Sequence, residues 1–438
     1  MPMSLRAILL AICLCLLPSH LLATVELGID VLRDHDFKEL QGKRLGLVAN
    51  PASVDSHLIP TVDILHNSKQ VKLVALFGPE HGIYGDEYAG NIVADKRDAR
   101  TGLTAFSLYG KTHKPTKEML ANIDALVFDL QDNGARSYTY LSTLRDCIEG
   151  CADADKEFVV LDRPNPLGGN RIEGGLVQPG FESHVSYIPS VPYLHGMTFG
   201  ELAQLIRDTY KPDFKKLTII RMAGWTRDMT WSDTGLQWTP TSPHLPHVES
   251  AYAYPATGIL GELYVMTIGV GYTLPFETVG SPWVSGDTLA DALNHHYSDP
   301  GHYYLSKAST RPSALAQLHY PTTDQAVDDA PKGLYFQPVR FKPFYGTFKD
   351  TPCQGVQIRI DPHTTANLVE LNFRLLQALD APDIFAKAKS RHNMFDKVTG
   401  SPEARTRLTT GEPLQPLFDQ WRNQCESFRT TRQKWLLY

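Results

Sequence analysis

The stretch Val71–Gly90, VKLVALFGPEHGIYGDEYAG, decides how this chain is read. Its first seven residues are almost continuously apolar, the pattern of a strand buried on both faces. They run straight into Gly78-Pro79-Glu80-His81-Gly82, which locks an acid and a histidine between a proline and a glycine. That turn reads either as an ordinary tight connection or as the floor of a site. The apolar pattern recurs along the chain. RLGLVAN (44–50), ALVFDL (125–130), EFVVLD (157–162) and KLTIIRM (216–222) read as further strands. HLIPTVDILHNS (57–68), PTKEMLANI (115–123), TYLSTLRDCIEGCADA (139–154) and MTFGELAQLIRDTY (197–210) read as helices between them. Thr198 and Glu201 form a capping box for the last of these. Buried strands separated by amphipathic helices predict a Rossmann-like α/β domain over residues 24–239: a parallel sheet with helices on both faces.

Residues 240–438 change character and predict a smaller α+β domain. PTSPHLPHVESAYAYPATG (240–258) reads as a crossing loop rich in proline and aromatics. TLADALNHH (288–296), TANLVELNFRLLQAL (365–379) and the tail 417–438 read as helices, VRFKPFYGTF (339–348) and GVQIRI (355–360) as strands. At the other end, residues 1–23 carry one Arg, an apolar run over 7–17 and a Pro-Ser break, the layout of a secretory signal peptide. The expectation is an exported protein, periplasmic or extracellular, with an uncleaved anchor or a lipoprotein as the alternatives.

The 438 residues suffice for two domains, and 42% hydrophobic with 21% charged residues is globular composition. The net charge of -6 argues against a nucleic-acid partner, and the lack of long Lys/Arg runs against a basic membrane patch. Cys147, Cys151, Cys353 and Cys425 allow three disulfide pairings or stand as buried thiols. Neither C-x-x-C nor H-E-x-x-H occurs, so no zinc site is expected.

Polar residues gather where the strands end. Asn50 closes the first strand, Glu80 and His81 follow the second, Asp129, Gln131 and Asp132 the third, Asp162, Arg163 and Asn165 the fourth. In a parallel sheet these ends share one edge, where open α/β sheets bind ligands. No G-x-G-x-x-G or P-loop follows the first strand, so neither a dinucleotide nor another cofactor is expected. Glu80, with Glu173 in NRIEGG (170–175), offers the two carboxylates that glycoside hydrolysis needs. Asp129, Gln131, Asp132 and Arg136 are suited to hold sugar hydroxyl or amide groups, and Tyr138 and Tyr140 to give a stacking face. Plainer readings stand beside these: Asp129 and Asp132 as helix caps, Arg136 in an ion pair, His195 orienting the next helix, His81 packed in its loop.

At these residues the chain resembles a known family. FGPEHGIYGD (77–86), SLYG (107–110) with PTKEML (115–120), DALVFDLQDNGARSYTY (124–140), VVLDRPNPLGG (159–169), IEGGLV (172–177), HGMTFGELA (195–203) and LPFETVGSPWV (274–284) occur in the order typical of exo-β-N-acetylmuramidases, and the likeness runs from Gly28 to the C-terminus. The resemblance implies a Rossmann-like N-terminal domain, a C-terminal domain completing a cleft, and release of N-acetylmuramic acid from non-reducing ends of peptidoglycan fragments. It implies Glu80 as general acid/base and Glu173 as second carboxylate. By the same motifs His81, Asp129, Gln131, Asp132, Arg136, Tyr138, Asp162, Arg163, Asn165 and His195 line the cleft. One segment departs: where the family carries FEGTN-x-S-x-GRGT, this chain has ILGELYVMTIGVGY (259–272). Its Asn, Ser and Arg are lost, Glu262 aligns with a one-residue shift, and Glu262 and Tyr272 are either cleft residues or plain helix and loop residues. Two other functions stay open: a non-catalytic muramyl-glycan-binding envelope protein, and a metal-dependent or esterase-type hydrolase of another envelope amino sugar.

Overall fold

The computed structural model describes residues 25–297 and 333–438; the expected leader, 1–23, lies outside them. The larger sheet holds seven strands in the order β3-β4-β2-β1-β5-β6-β7. They are β1 (Arg44–Ala49), β2 (Lys72–Gly78), β3 (Lys96–Arg97), β4 (Thr104–Ser107), β5 (Ala125–Asp129), β6 (Glu157–Leu161) and β7 (Leu217–Ile220). Every pair is parallel except β3 with β4. The chain winds outward from β1 through β2 to β4, then returns across β1 to lay down β5, β6 and β7. This is the doubly wound order of the Rossmann fold, and its direction reverses between β1 and β5. Alternate residues bury opposite faces, as the two-residue strand period requires. Leu126 and Phe128 join the core beneath helices Tyr140–Asp153 and Phe199–Tyr210. Val127 and Leu47 face the side that carries helices Gly28–Asp34 and Thr61–Asn67.

The second sheet is antiparallel, ordered β8-β10-β9, from β8 (Thr278–Ser281), β9 (Leu334–Phe341) and β10 (Cys353–Ile360). Helix Gly286–Tyr297 packs on it. Helices Leu368–Ala378, His392–Thr399 and Gln415–Thr431 build the rest of the second half. The chain then returns to the first domain. Tyr438, the last residue, donates its hydroxyl to Asp162 (2.8 Å) and accepts from the Met222 N–H (2.9 Å). Among the described residues, Cys147, Cys151, Cys353 and Cys425 are free and buried.

Three readings are corrected. The stretch 115–123 makes turns instead of a helix: Thr116 Oγ1 accepts from the Met119 N–H as a cap would, but the chain does not go on into regular helix. The edge strands β3 and β4 were not expected. The supposed crossing loop becomes helical over Val248–Gly261, with Pro255 inside it. Proline removes the donor that would serve the Ala251 carbonyl, and buried Asn372 braces the turn that follows. Its Nδ2 donates to the Pro255 carbonyl (2.7 Å), and its Oδ1 accepts from the Leu260 N–H (3.1 Å).

Candidate active site

The turn after β2 is held by its own residues. Gly82 N–H donates to the Pro79 carbonyl at 2.9 Å. His81 takes a left-handed backbone conformation (φ 71°), uncommon for a side-chain-bearing residue, and its Nδ1 donates to the Glu87 carbonyl at 2.8 Å. Gly78 is needed because a Cβ there would lie 2.9 Å from the Ile83 nitrogen. The result is a fixed Glu80 with only 8% of its surface exposed.

Three donors converge on the Glu80 carboxylate. Thr139 Oγ1, at the N-cap of helix Tyr140–Asp153, donates at 2.6 Å. The Gly90 N–H donates at 2.8 Å. The Tyr109 phenol supplies the third; burial and the Glu80 charge push its pKa up, so it remains a donor. Tyr140 donates to the Thr241 carbonyl at 2.7 Å, with the Glu80 carbonyl 3.4 Å from the same hydroxyl.

A second carboxylate, from the other half of the chain, lies near enough to feel the Glu80 charge. Glu262 follows the C-terminus of helix Val248–Gly261, and its side chain keeps 31% exposure. Burial pushes its pKa up, Glu80 pushes the same way, and Arg391, paired with it at 2.9 Å, pulls against both. Tyr254 joins the two halves. Its hydroxyl meets Ser137 Oγ at 3.2 Å, and its ring lies 6.0 Å from Tyr138, which in turn lies 4.6 Å from Tyr140. Tyr138 is therefore part of an aromatic wall, its hydroxyl donating to Thr241.

Most of the other expected site residues are engaged within the fold. Arg163 clasps fully buried Asp129 through Nε (2.6 Å) and Nη2 (2.9 Å), and Thr61 donates to the same carboxylate (2.6 Å). Gln131 donates to the Asp132 and Pro164 carbonyls. His195 Nδ1 accepts from the Met197 N–H, leaving Nε2 3.2 Å from Asp132 Oδ2. Arg136 is buried without a carboxylate partner; it donates to the carbonyls of Gly175, Val191 and Val398, and burial pulls its pKa down to about 10. Asp162 accepts from Thr198, the Gly200 N–H and Tyr438, and burial pushes its pKa up to about 6. Asn165 donates to the Met197 carbonyl. Glu173 pairs with Arg171 and accepts from the Val369 N–H (3.1 Å) at the start of helix Leu368–Ala378. Among the described residues it shares no hydrogen-bond partner with Glu80. Glu173 thus ties the two halves together, and the carboxylate that feels the Glu80 charge is Glu262.

The crevice where strand order reverses is filled by the chain itself. Asn50 Nδ2 donates to the Thr241 carbonyl (2.8 Å), and Thr241 Oγ1 donates to the Gln131 carbonyl (2.8 Å). Elsewhere Asp30, Asp55 and His57 come together, but Arg33 pairs with both acids and supplies the positive charge a cation would bring.

Comparison with known proteins agrees with this architecture. The family models described as the N-terminal and C-terminal domains of exo-β-N-acetylmuramidase NamZ match residues 45–249 and 252–438. The peptidoglycan β-N-acetylmuramidase NamZ of Bacillus subtilis (strain 168) is 37% identical over 416 residues, 94% of this chain and 91% of that protein. Two crystal structures of DUF1343 family proteins from Bacteroides fragilis NCTC 9343 share the fold. One has TM-score 0.79 and 44% identity, the other TM-score 0.69 and 23% identity; each alignment covers 95% of this chain and 99% of that chain. With both domain models matched in order across almost its whole length, this chain belongs to the exo-β-N-acetylmuramidase NamZ family.

Proposed function

We propose that the protein is an exo-acting glycoside hydrolase that releases N-acetylmuramic acid from non-reducing ends of peptidoglycan fragments. The observation that carries this reading is Glu80, an almost fully buried carboxylate fixed by hydrogen bonds on the rigid turn after β2, with Glu262 of the second half near enough to feel its charge. Hydrolysis of a glycosidic bond needs one carboxyl group that holds a proton for the leaving oxygen and one that acts as carboxylate. Glu262, whose pKa is pushed up, suits the first role. Glu80, held by three donors, suits the second, as base, nucleophile or orienting group. Of the three packed rings, Tyr140 is fully buried and Tyr138 nearly so, against the stacking role expected of them, which leaves half-buried Tyr254 to offer the sugar an aromatic face. Family membership and the Bacillus subtilis relative support the muramyl substrate. The N-terminal sequence supports export, with residues 1–23 as leader, to the compartment where peptidoglycan lies.

A chromogenic β-N-acetylmuramide and the matching β-N-acetylglucosaminide test the reading. Release from the muramide, lost in both Glu80→Gln and Glu262→Gln, is expected. Hydrolysis of the glucosaminide alone would instead mean that the altered segment 259–272 has changed the sugar.

A further inference from the structure

A pocket with two acids needs a way to accept an acidic sugar. A muramyl residue differs from a glucosaminyl one by the lactyl ether on O3, which ends in a carboxylate. Glu80 and Glu262 repel such a group, and the guanidinium beside them, Arg391, is already paired with Glu262.

Behind Tyr109, on the Glu80 side, lies a histidine pair. The rings of His113 and His184 stack at 4.3 Å. Tyr109, which hydrogen-bonds Glu80, touches both, its ring 5.1 Å from His113 and 5.8 Å from His184. His184 is thus one tyrosine away from the Glu80 carboxylate and feels its charge. A single helix start fixes both groups: Thr139 donates to Glu80, and three residues on Ser142 donates to the His184 carbonyl. His184 Nε2 is buried and has no protein partner. Buried polar atoms are nearly always paired, so an unpaired one next to a reacting carboxylate indicates a partner brought by the ligand. Burial and the neighbouring His113 pull the His184 pKa down to about 4, so the ring is neutral at pH 7. A neutral imidazole carries one N–H, and the Nε2 tautomer can donate it.

We propose that His184 is the residue that reads the acidic substituent of the sugar, its Nε2–H donating to the lactyl carboxylate while the anomeric carbon lies against Glu80. His113, exposed and stacked on it, faces the same group from the solvent side, with Asp146 behind it. The assignment rests on the muramidase reading for its substrate, yet binding tests it separately from turnover.

The experiment measures calorimetric affinities of the wild type, His184→Ala and His184→Gln for N-acetylmuramic acid and for its lactyl methyl ester. The wild type should favour the free acid by ~10- to 100-fold, the range of a hydrogen bond to a charged group. His184→Ala should lose that preference and keep its affinity for the ester; His184→Gln, which restores an N–H donor, should recover part of it. A wild type that binds acid and ester alike, or an alanine variant that keeps the preference, overturns the assignment. Cleavage of the chromogenic muramide is scored apart: acid preference without cleavage would sink the hydrolase reading and leave His184 standing.

Discussion

Asp129 ends the central strand β5 and, by sequence alone, is suited to hold a sugar hydroxyl. Its surroundings predict a different outcome for Asp129→Ala. The carboxylate is fully buried and accepts two bonds from Arg163 and one from Thr61. Its removal leaves the Arg163 guanidinium, 3% exposed, with the Val54 carbonyl at 2.7 Å as its remaining hydrogen-bond partner. Breaking one side of a buried ion pair costs about 3–5 kcal/mol, because the other charge stays behind uncompensated. At roughly 2–4 °C per kcal/mol for a domain of this size, the melting temperature should drop by about 10 °C. The paired change Asp129→Ala with Arg163→Met removes the stranded charge and should recover at least half of that loss. Thermal unfolding by circular dichroism, with kcat and KM measured well below the transition, is the assay. The folded fraction of Asp129→Ala should keep its KM. A variant with unchanged melting temperature and a KM raised tenfold would refute the reasoning and return Asp129 to the sugar.

Other perturbations follow from the same contacts. The Asp162 pKa, raised by burial to about 6, lies above its unfolded value, so this group's contribution is full below about pH 4 and fades as pH rises through about 6. Asp162→Asn should flatten that part of the stability–pH curve, a difference on the order of 3 kcal/mol read from urea titrations at pH 4 and pH 7. If Glu262 gives the proton, activity falls as pH rises through its pKa, and Arg391 holds that pKa down. Arg391→Met should therefore move the alkaline limb of kcat to higher pH, and an unmoved limb would remove Glu262 from the role. Arg136→Met strands three buried carbonyls from both halves of the chain and should cost about 3 kcal/mol or more in denaturant titrations, with KM unchanged. Tyr438→Phe loses the hydroxyl shared by Asp162 and Met222 and should lower stability by about 1–3 kcal/mol in the same titration.

The α/β class was legible because buried strands and capped helices leave period and cap signals. β1, β2, β5, β6 and β7 fall where the apolar runs predict them, and Thr198 accepts from the Glu201 N–H as the capping box requires. Helix Val248–Gly261 was not legible, since Pro255 reads as a breaker and the side chain that braces the following turn, Asn372, is more than a hundred residues away. The Gly-Pro-Glu-His-Gly turn pointed to Glu80, which the structure holds fixed by hydrogen bonds. Strand-end position could not separate it from Asp129 or Asp162, because both sugar binding and charge burial favour acids there. Glu173 sat beside glycines as a catalytic acid might be expected to, but its partners are Arg171 and a helix start. Tyr109 and Thr139 lay inside the quoted motifs SLYG and SYTY, without a signal for their roles. His184 and Arg391 carry no local pattern at all; only tertiary packing brings them to the acids.

The seating of Thr241 against Asn50 and Gln131 has a mechanical consequence. The segment that joins the two halves is itself wedged into the sheet, and Tyr438 anchors the far end of the chain to the same body. A connection clamped at both ends is a poor hinge. Substrate should then meet two halves already in place, with side-chain shifts left to uncover His184 Nε2, and small-angle scattering profiles recorded with and without a muramyl ligand should superimpose.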